Sequence, residues 1–162
     1  SSMTFITSAI TPIGMLIFKA GEEALASITI GTGVIEERPN AVIMEAIRQV
    51  QAYFKGSTTT FDLPLDFGDA TPFQVKVWKE LMNIPFGTTI SYLQLAQKVG
   101  TEKHTRAVGL ANGKNPLPIV VPCHRVIGSD RSLTGYALGL KTKLFLLNHE
   151  TPGAFVVQAS LF

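Results

Sequence analysis

Residues 91–113 read SYLQLAQKVGTEKHTRAVGLANG, and this stretch predicts two short helices joined by a turn. Ser91 and Gln94 have the spacing of a capping box, in which each side chain bonds the backbone N–H of the other residue at a helix start. Gly100 favours a helix end, because glycine readily adopts the left-handed conformation found there. A second helix is expected from about residue 102 to residue 112. Two short helices around a glycine-containing turn are typical of a helix-turn-helix.

The second of these helices combines positive charge with small side chains. Cations neutralise phosphate, and small residues let a backbone approach a duplex closely. The combination favours contact with DNA, although small residues that only pack against a protein core would leave the same pattern. The cations are Lys103, His104, Arg106 and Lys114, and the small residues are Ala107, Gly109, Ala111 and Gly113.

Charge is divided unevenly between the two halves of the chain. Residues 1–71 contain four basic and eight acidic side chains, a net charge of −4, whereas residues 72–162 contain ten basic and four acidic ones, a net charge of +6. A basic half favours binding to phosphate and an acidic half opposes it. The sequence therefore indicates that any contact with nucleic acid belongs to the second half.

The composition is that of a folded protein with ample material for a core. Hydrophobic residues make up 46% of the 162 residues and charged residues 16%, which suits one domain or two small ones. A single cysteine excludes an internal disulfide and a Cys-rich zinc site. The first apolar run, residues 15–18, is too short for a signal peptide or a membrane span. We therefore expect a cytoplasmic protein with no membrane partner, preceded by an expression remnant at Ser1-Ser2.

The first half predicts a small antiparallel sheet with one helix. Residues 15–18 and 25–30 are apolar runs separated by a glycine-containing turn, an arrangement typical of a hairpin. Asn40 favours the start of a helix over residues 41–55, and Gly56 favours its end.

A domain boundary is expected after the last apolar pattern of this half. Residues 60–67 alternate weakly between apolar and polar side chains, and Pro64 restricts such a strand to an edge or a connection. Gly68-Asp69-Ala70 follows it. The sequence therefore predicts one domain at residues 1–70 and a second at residues 71–162.

The second half is predicted to be mostly helical. Thr71-Pro72 is typical of a helix start, residues 85–87 of a stop, and residues 138–148 of an apolar helix. The expected fold class is therefore α/β (α+β). A small N-terminal antiparallel sheet-plus-helix domain precedes a C-terminal domain with a winged-helix-like helix-turn-helix.

The only cysteine, Cys123, lies in the sequence Val-Val-Pro-Cys-His-Arg-Val at residues 120–126. A thiol becomes a useful nucleophile as thiolate, which requires a base or positive surroundings, and His124 and Arg125 offer both. Neighbouring side chains on a strand point to opposite faces, so their contact requires a turn in the backbone. A histidine base is in turn oriented by a third group, for which Glu150 is available. The alternative, that Cys123 is a small buried hydrophobe, stays open on spacing alone.

Several motifs of the second half together resemble the O6-alkylguanine-DNA alkyltransferase family, the methylated-DNA–protein-cysteine methyltransferases. The most specific are Pro-Cys-His-Arg-Val at 122–126 and Arg-Ala-Val-Gly at 106–109. The likeness runs in order from about Phe73 to Glu150, and the first half resembles the family only in element order and length. The other matching segments are residues 84–92, 112–116, 135–136 and 146–150.

The resemblance implies DNA repair by direct reversal. Cys123 would accept the alkyl group, chiefly methyl, from O6-alkylguanine and O4-alkylthymine in an in-line displacement. The protein would react once and need neither a cofactor nor a metal. His124 would act as the base through a bound water, Glu150 would hold the imidazole, and Asn115 would buttress the active-site turn.

The resemblance also implies how the nucleotide is presented. A reaction at the alkyl group of a base requires that base to leave the duplex. Arg106, beside Ala107, would fill the vacated place, and Tyr92 would rotate the nucleotide and contact the base. Arg125 and main-chain groups at Val126 would contact the substrate or DNA. A monomer would enter the minor groove of double-stranded DNA with little sequence preference.

The expected pocket departs from the family pattern in the loop after Tyr136, which would form one wall. Many members have Gly-Tyr-x-Gly-Gly, whereas residues 135–139 read Gly-Tyr-Ala-Leu-Gly. Ala137 lacks a hydroxyl that some relatives place near the guanine oxygen, and Leu138 in place of glycine should crowd the pocket. Without further cysteines, the zinc site of some relatives' first domain cannot be built from thiols.

Three other functions are compatible with parts of this pattern. An alkyltransferase-like protein would bind lesions without repairing them, but such proteins usually replace the acceptor cysteine. A methyl-responsive transcriptional regulator would need a further DNA-binding module. A Cys-His hydrolase would turn over many times, whereas an alkyltransferase stops after one equivalent.

Overall fold

The computed structural model describes residues 3–155, and the chain divides into two compact units, Ser1–Asp69 and Ala70–Phe162. Ser1-Ser2 and Val156-Val157, the latter part of an apolar tail, lie outside the described residues. None of the helices in the described part is long and apolar enough to cross a membrane.

The first unit is built on a three-stranded antiparallel sheet. Strand β1 (Phe5–Thr11) pairs with β2 (Gly14–Ala20), and β2 pairs with β3 (Leu25–Ile30). Alternate residues of β2 face the core, so that Leu16 and Phe18 are completely buried. The predicted hairpin of β2 and β3 is confirmed. β1 has no counterpart among the predicted strands, because polar residues interrupt its apolar pattern.

Helix α1 (Ala41–Lys55) packs on this sheet and has the predicted caps. The Asn40 side chain accepts a hydrogen bond from the backbone N–H of Ile43 at 3.0 Å. Gly56 ends the helix with φ 79°, in the left-handed region that favours glycine. Both ends are thus set by local hydrogen bonds.

Residues 60–67 form a connection, not a regular strand. Leu65 makes one isolated bridge to Leu25, whose N–H donates to Pro64 and whose carbonyl accepts from Asp66, both at 2.8 Å. The side chains alternate between half-buried and exposed as predicted. Pro64 lacks the N–H that a longer ladder needs, so the alternation does not extend into a strand.

The second unit is mostly helical, as predicted, and the α+β class is confirmed. Two-residue strands β4 (Ile90–Ser91) and β5 (Val126–Ile127) pair in parallel beside the helices. The helices are α2 (Pro72–Leu81), α3 (Tyr92–Val99), α4 (Thr105–Gly113) and α5 (Leu140–Glu150).

Helices α3 and α4 form the predicted helix-turn-helix. Ser91 Oγ accepts from the N–H of Gln94 at 3.0 Å, and the Gln94 side chain accepts from the N–H of Ser91 at 2.8 Å. Gly100 ends α3 with φ 87°, and a single 3₁₀ turn, Glu102–His104, precedes α4. The capping contacts define where α3 begins, and residues 100–104 form the turn that leads into α4.

Three helices differ in their boundaries from the predicted ones. Helix α2 ends at Leu81, before the expected stop at residues 85–87. Helix α4 begins at Thr105, because residues 102–104, where it was expected to start, form the 3₁₀ turn. Helix α5 spans Leu140–Glu150 and not residues 138–148. It begins at Leu140 because Gly139, with φ 91°, has a conformation outside the helical region. Leu138 consequently lies in a turn before the helix and not within it.

Candidate active site

The thiol of Cys123 lies in a 3₁₀ turn, Cys123–Arg125, that leads into β5. The N–H of Cys123 donates to the carbonyl of Val121 at 2.8 Å, and the N–H of Arg125 donates to Pro122 at 3.1 Å. The backbone therefore turns at the cysteine. Such a turn is required if Cys123 and His124 are to act in the same site. Cys123 is completely buried.

Two buried asparagines hold this turn. Asn115 Nδ2 donates to the carbonyl of Val121 at 2.7 Å, and its Oδ1 accepts from the N–H of Leu117 at 2.9 Å. Asn112, near the end of α4, places Nδ2 3.4 Å from the carbonyl of Cys123. The contacts of Asn115 fit the expected buttress. Asn112, for which the sequence indicated no role, joins α4 to the acceptor turn.

His124 and Glu150 form a buried pair. His124 Nε2 lies 2.6 Å from Glu150 Oε2. Burial lowers the pKa of His124 and outweighs the opposing effect of Glu150. We therefore assign a neutral imidazole whose Nε2–H donates to the carboxylate. Nδ1, which has no hydrogen-bond partner in the part of the chain that the structure describes, is left with its lone pair available as a base.

Arg125 holds the same carboxylate from its other side. Its Nε lies 2.8 Å from Glu150 Oε1, its Nη2 3.0 Å from Oε2, and its Nη1 donates to the carbonyl of Ile84 at 2.7 Å. Burial alone would raise the pKa of Glu150, but the hydrogen bonds from His124 and Arg125 lower it well below its usual range. The buried guanidinium therefore serves Glu150, in contrast to the expected contact with substrate or DNA.

The environment of Cys123 keeps its sulfur protonated in the closed site. Burial raises the pKa of the thiol to about 11, opposed by a hydrogen bond from Asn115 and by the charge of Lys143. A thiol in this state reacts only when a base removes its proton. Cys123 therefore needs a base to remove its proton, and the imidazole of His124, the next residue in the chain, is the candidate.

Lys143 is a further site residue that the sequence interpretation missed. It is completely buried on α5, where Nζ donates to the carbonyls of Val126 at 2.6 Å and Thr134 at 2.9 Å. Burial lowers its pKa to about 8. A signal existed in the sequence, because Lys143 occupies the i+3 position of the apolar stripe that Leu140 begins.

Tyr92 and Tyr136 lie at the same site, both half-buried. The Tyr92 hydroxyl donates to the carbonyl of Thr134 at 3.0 Å, and burial raises its pKa. The ring of Tyr136 lies 6.4 Å from that of His124, nearly perpendicular to it. The structure thus places two aromatic side chains beside the acceptor turn.

The remaining pocket residues lie on β5 and on the loop before α5. Val126, whose main-chain groups were expected to contact the substrate or DNA, is completely buried, and its carbonyl accepts a hydrogen bond from Lys143. Ala137 is exposed and Leu138 half-buried. Among the described residues, Leu138 is not part of the adjacent core cluster. That cluster consists of Ile127, Leu133, Leu144 and Leu147, with Leu140 and Phe155 packed on it.

Arg106 and Ala107 are exposed side by side on α4, away from the buried Val108 and Ala111. Trp78 Nε1 donates to the carbonyl of Ala111 at 2.8 Å and anchors the inner face of the helix to α2. The outer face is therefore free to meet a ligand.

A cavity of about 150 Å³ borders Glu150 and is lined by residues before β4, by Arg131 and by Phe155. Cys123 does not line it, so it is not a pocket for the reacting group. Within residues 3–155, no group of three or more His, Cys, Asp or Glu side chains is placed to hold a metal ion.

The chain matches two family models in order. Residues 6–67 match the 6-O-methylguanine DNA methyltransferase ribonuclease-like domain, and residues 72–152 match the DNA binding domain of the same family. The constitutive methylated-DNA–protein-cysteine methyltransferase of Bacillus subtilis is 46% identical over 91% of this chain and 96% of its own length. A methyltransferase of the same description from Methanosarcina barkeri is 44% identical over 86% of this chain and 92% of its own.

Solved structures agree in fold over nearly the whole chain. Mycobacterium tuberculosis O6-methylguanine methyltransferase is 39% identical, with a TM-score of 0.83 over 96% of this chain and 97% of that one. The protein from the same organism in complex with DNA is 42% identical, with a TM-score of 0.80 over 88% and 90% of the two chains.

Proposed function

The chain belongs to the methylated-DNA–protein-cysteine methyltransferase family, and from that premise we propose that it repairs O6-alkylguanine in double-stranded DNA by taking the alkyl group onto Cys123. One observation carries the assignment of the acceptor. The only thiol of the chain is buried in a turn beside His124, whose Nε2 is held by Glu150 and whose Nδ1 is left open.

In the proposed reaction, His124 Nδ1 takes the thiol proton through a water molecule. The thiolate attacks the alkyl carbon in line with the C–O bond, which breaks as the S–C bond forms. The electron pair of the broken bond stays on the guanine oxygen. The resulting guanine anion is protonated as His124 gives back, through water, the proton it took from the thiol, so that neutral guanine and a neutral imidazole remain. Because the thioether product has no route back to a thiol, each protein molecule reacts once.

The proposed complex uses the outer face of α4. Arg106 would occupy the place of the flipped nucleotide in the minor groove, beside Ala107, and Tyr92 would contact the base. A charge of +6 on residues 72–162 supports phosphate contact by this unit. We further propose that the protein acts as a cytoplasmic monomer with little sequence preference, and that it also accepts O4-alkylthymine.

A mass measurement tests this function. Protein mixed with excess O6-methylguanine duplex should gain one methyl group, located on Cys123, and then stop. Cys123→Ser should bind the same duplex and gain nothing, because α3 and α4 are untouched. Binding without any gain by the wild type would favour a lesion-binding protein, and repeated turnover would favour a hydrolase.

A further inference from the structure

The outer face of α4 carries an exposed leucine between its cations. Arg106 and Leu110, four residues apart, lie along one side of the helix, and Lys114, four residues further, directly follows its last residue. Leu110 exposes 63% of its surface, whereas Val108 and Ala111, on the inner side, are buried. Core packing on the inner side therefore does not explain the leucine.

We propose that Leu110 is a DNA-binding residue whose side chain packs against the deoxyribose walls of the groove that α4 enters. This rests on the proposed function, in which Arg106 enters the duplex from the same face. Single exposed leucines are common on protein surfaces, so exposure alone is no argument. Leu110 is distinguished by its position, on the same side of α4 as Arg106, which is proposed to enter the duplex, and before Lys114, a cation available for phosphate.

The geometry gives Leu110 a role different from that of its charged neighbours. Four residues of helix rise by about 6 Å, so Leu110 lies one turn beyond Arg106 along the same side. Proteins that bind the minor groove commonly place apolar side chains in it. The deoxyribose rings that line the groove offer Leu110 an apolar surface to pack against. Contact with sugars buries apolar surface and releases no counterions, so its contribution should not depend on salt.

Binding to undamaged duplex across a range of salt concentrations tests the inference with three variants. Leu110→Ala and Leu110→Gln should weaken binding by about tenfold at every salt concentration. Both variants lose apolar surface that the leucine side chain would partly bury against DNA. Leu110→Met, with nearly the length of glutamine but no polar atoms, should bind within about twofold of the wild type. All three should keep the wild-type slope of log affinity against log salt.

Two controls separate this contact from charge and from general surface effects. Lys114→Ala should reduce the salt slope by roughly 0.9, the value for one phosphate contact. Ile10→Ala removes an aliphatic side chain that is 76% exposed in the acidic first unit, and should bind like the wild type.

Two results would overturn the inference: wild-type affinity in Leu110→Ala, or equal affinities of the Met and Gln variants. Failure of the proposed function is recognised separately. A wild type that binds duplex but gains no methyl would refute alkyl transfer, while the comparison of Leu110 variants stays readable because it uses undamaged DNA.

Discussion

His124 Nε2 and Glu150 Oε2 lie 2.6 Å apart, and the same carboxylate is held by two nitrogens of Arg125. One acid thus orients the imidazole and compensates a buried guanidinium. Burial keeps His124 neutral against the opposing effect of Glu150, and the positive charge of Arg125 acts in the same direction as burial. His124 Nδ1 therefore stays available as a base.

His124→Gln should change how the rate of methyl transfer depends on pH. In the wild type the pKa of His124 is lowered by burial, so the imidazole stays a base and the rate should be level down to its ordinary value of 6.5. Without that base, transfer depends on spontaneous ionisation of a thiol whose pKa is about 11, and the rate should rise tenfold per pH unit. Single-turnover rates between pH 6 and 9 would check this, and equal profiles would remove His124 from its role.

Glu150→Gln should destabilise the fold, because it leaves Arg125 buried without a counter-charge. We expect the free energy of unfolding to fall by about 3 kcal/mol at neutral pH. The folded-state pKa of Glu150 is lowered, so its contribution is present above the ordinary value of 4.5 and lost as pH falls through the lowered value. Urea unfolding at several pH values should show the difference between wild type and variant shrinking below pH 4.5.

The exposed pair of Glu45 and Arg48 in the first unit supplies the control for this variant. Glu45→Gln should change stability little, since solvent screens an exposed ion pair. If Glu45→Gln and Glu150→Gln lower the free energy of unfolding equally, the unpaired buried guanidinium of Arg125 does not explain the loss of stability.

Lys143→Met should lower the fraction of Cys123 present as thiolate below about pH 8. Lys143 is buried and has a pKa of about 8, so it carries its charge only below that pH, where the charge lowers the pKa of the thiol. Alkylation of Cys123 by iodoacetamide, followed by mass, should therefore be slower in the variant than in the wild type below about pH 8, and the two rates should converge above it. Lys141→Met removes a charge from the exposed side of the same helix and should leave the profile unchanged. Equal slowing in both variants would indicate an effect of net charge and not of the buried Lys143.

Arg106→Ala should slow repair in duplex DNA far more than transfer from the free alkylated base. Only the duplex contains a gap that Arg106 would fill after the nucleotide leaves the stack. Single-turnover rates with a methylated duplex and with free O6-methylguanine separate the effect on duplex repair from the effect on the transfer step. An equal loss on both substrates would instead place Arg106 in the pocket or in the stability of the fold.

The helix caps could be predicted from the sequence because they depend on neighbours in the chain. Asn40, Thr71 and Ser91 each bond a backbone N–H three residues later, and the structure has all three contacts. For residues 60–67 the sequence left open an edge strand or a connection, because the choice depends on a distant partner, and with Pro64 in place the structure provides one bridge only. Local hydrogen bonds could be predicted, and long-range pairing could not.

In the candidate site too, local features could be predicted from the sequence and long-range contacts could not. The motif around Cys123 identified the thiol and its neighbour His124, but not the direction of the Arg125 side chain. That direction is set by Glu150, 25 residues later, and by the carbonyl of Ile84, 41 residues earlier. Lys143 was missed for the same reason, since its partner carbonyl at Val126 lies 17 residues away.

Leu138 should make the protein prefer methyl over benzyl adducts. It lies half-buried in the turn between Gly135 and Gly139, where the family pattern has glycine, and outside the adjacent core cluster. Methyl occupies little more room than the reacting carbon, whereas benzyl must fit with its carbon in line with the sulfur, and a misplacement of about 1 Å can cost roughly 100-fold. Leu138→Gly should therefore speed benzyl transfer and leave methyl transfer nearly unchanged, as measured with oligonucleotides carrying each adduct. A wild type that transfers benzyl as fast as methyl would show that Leu138 does not narrow the pocket, and equal slowing of both reactions in the variant would show a loss of stability instead.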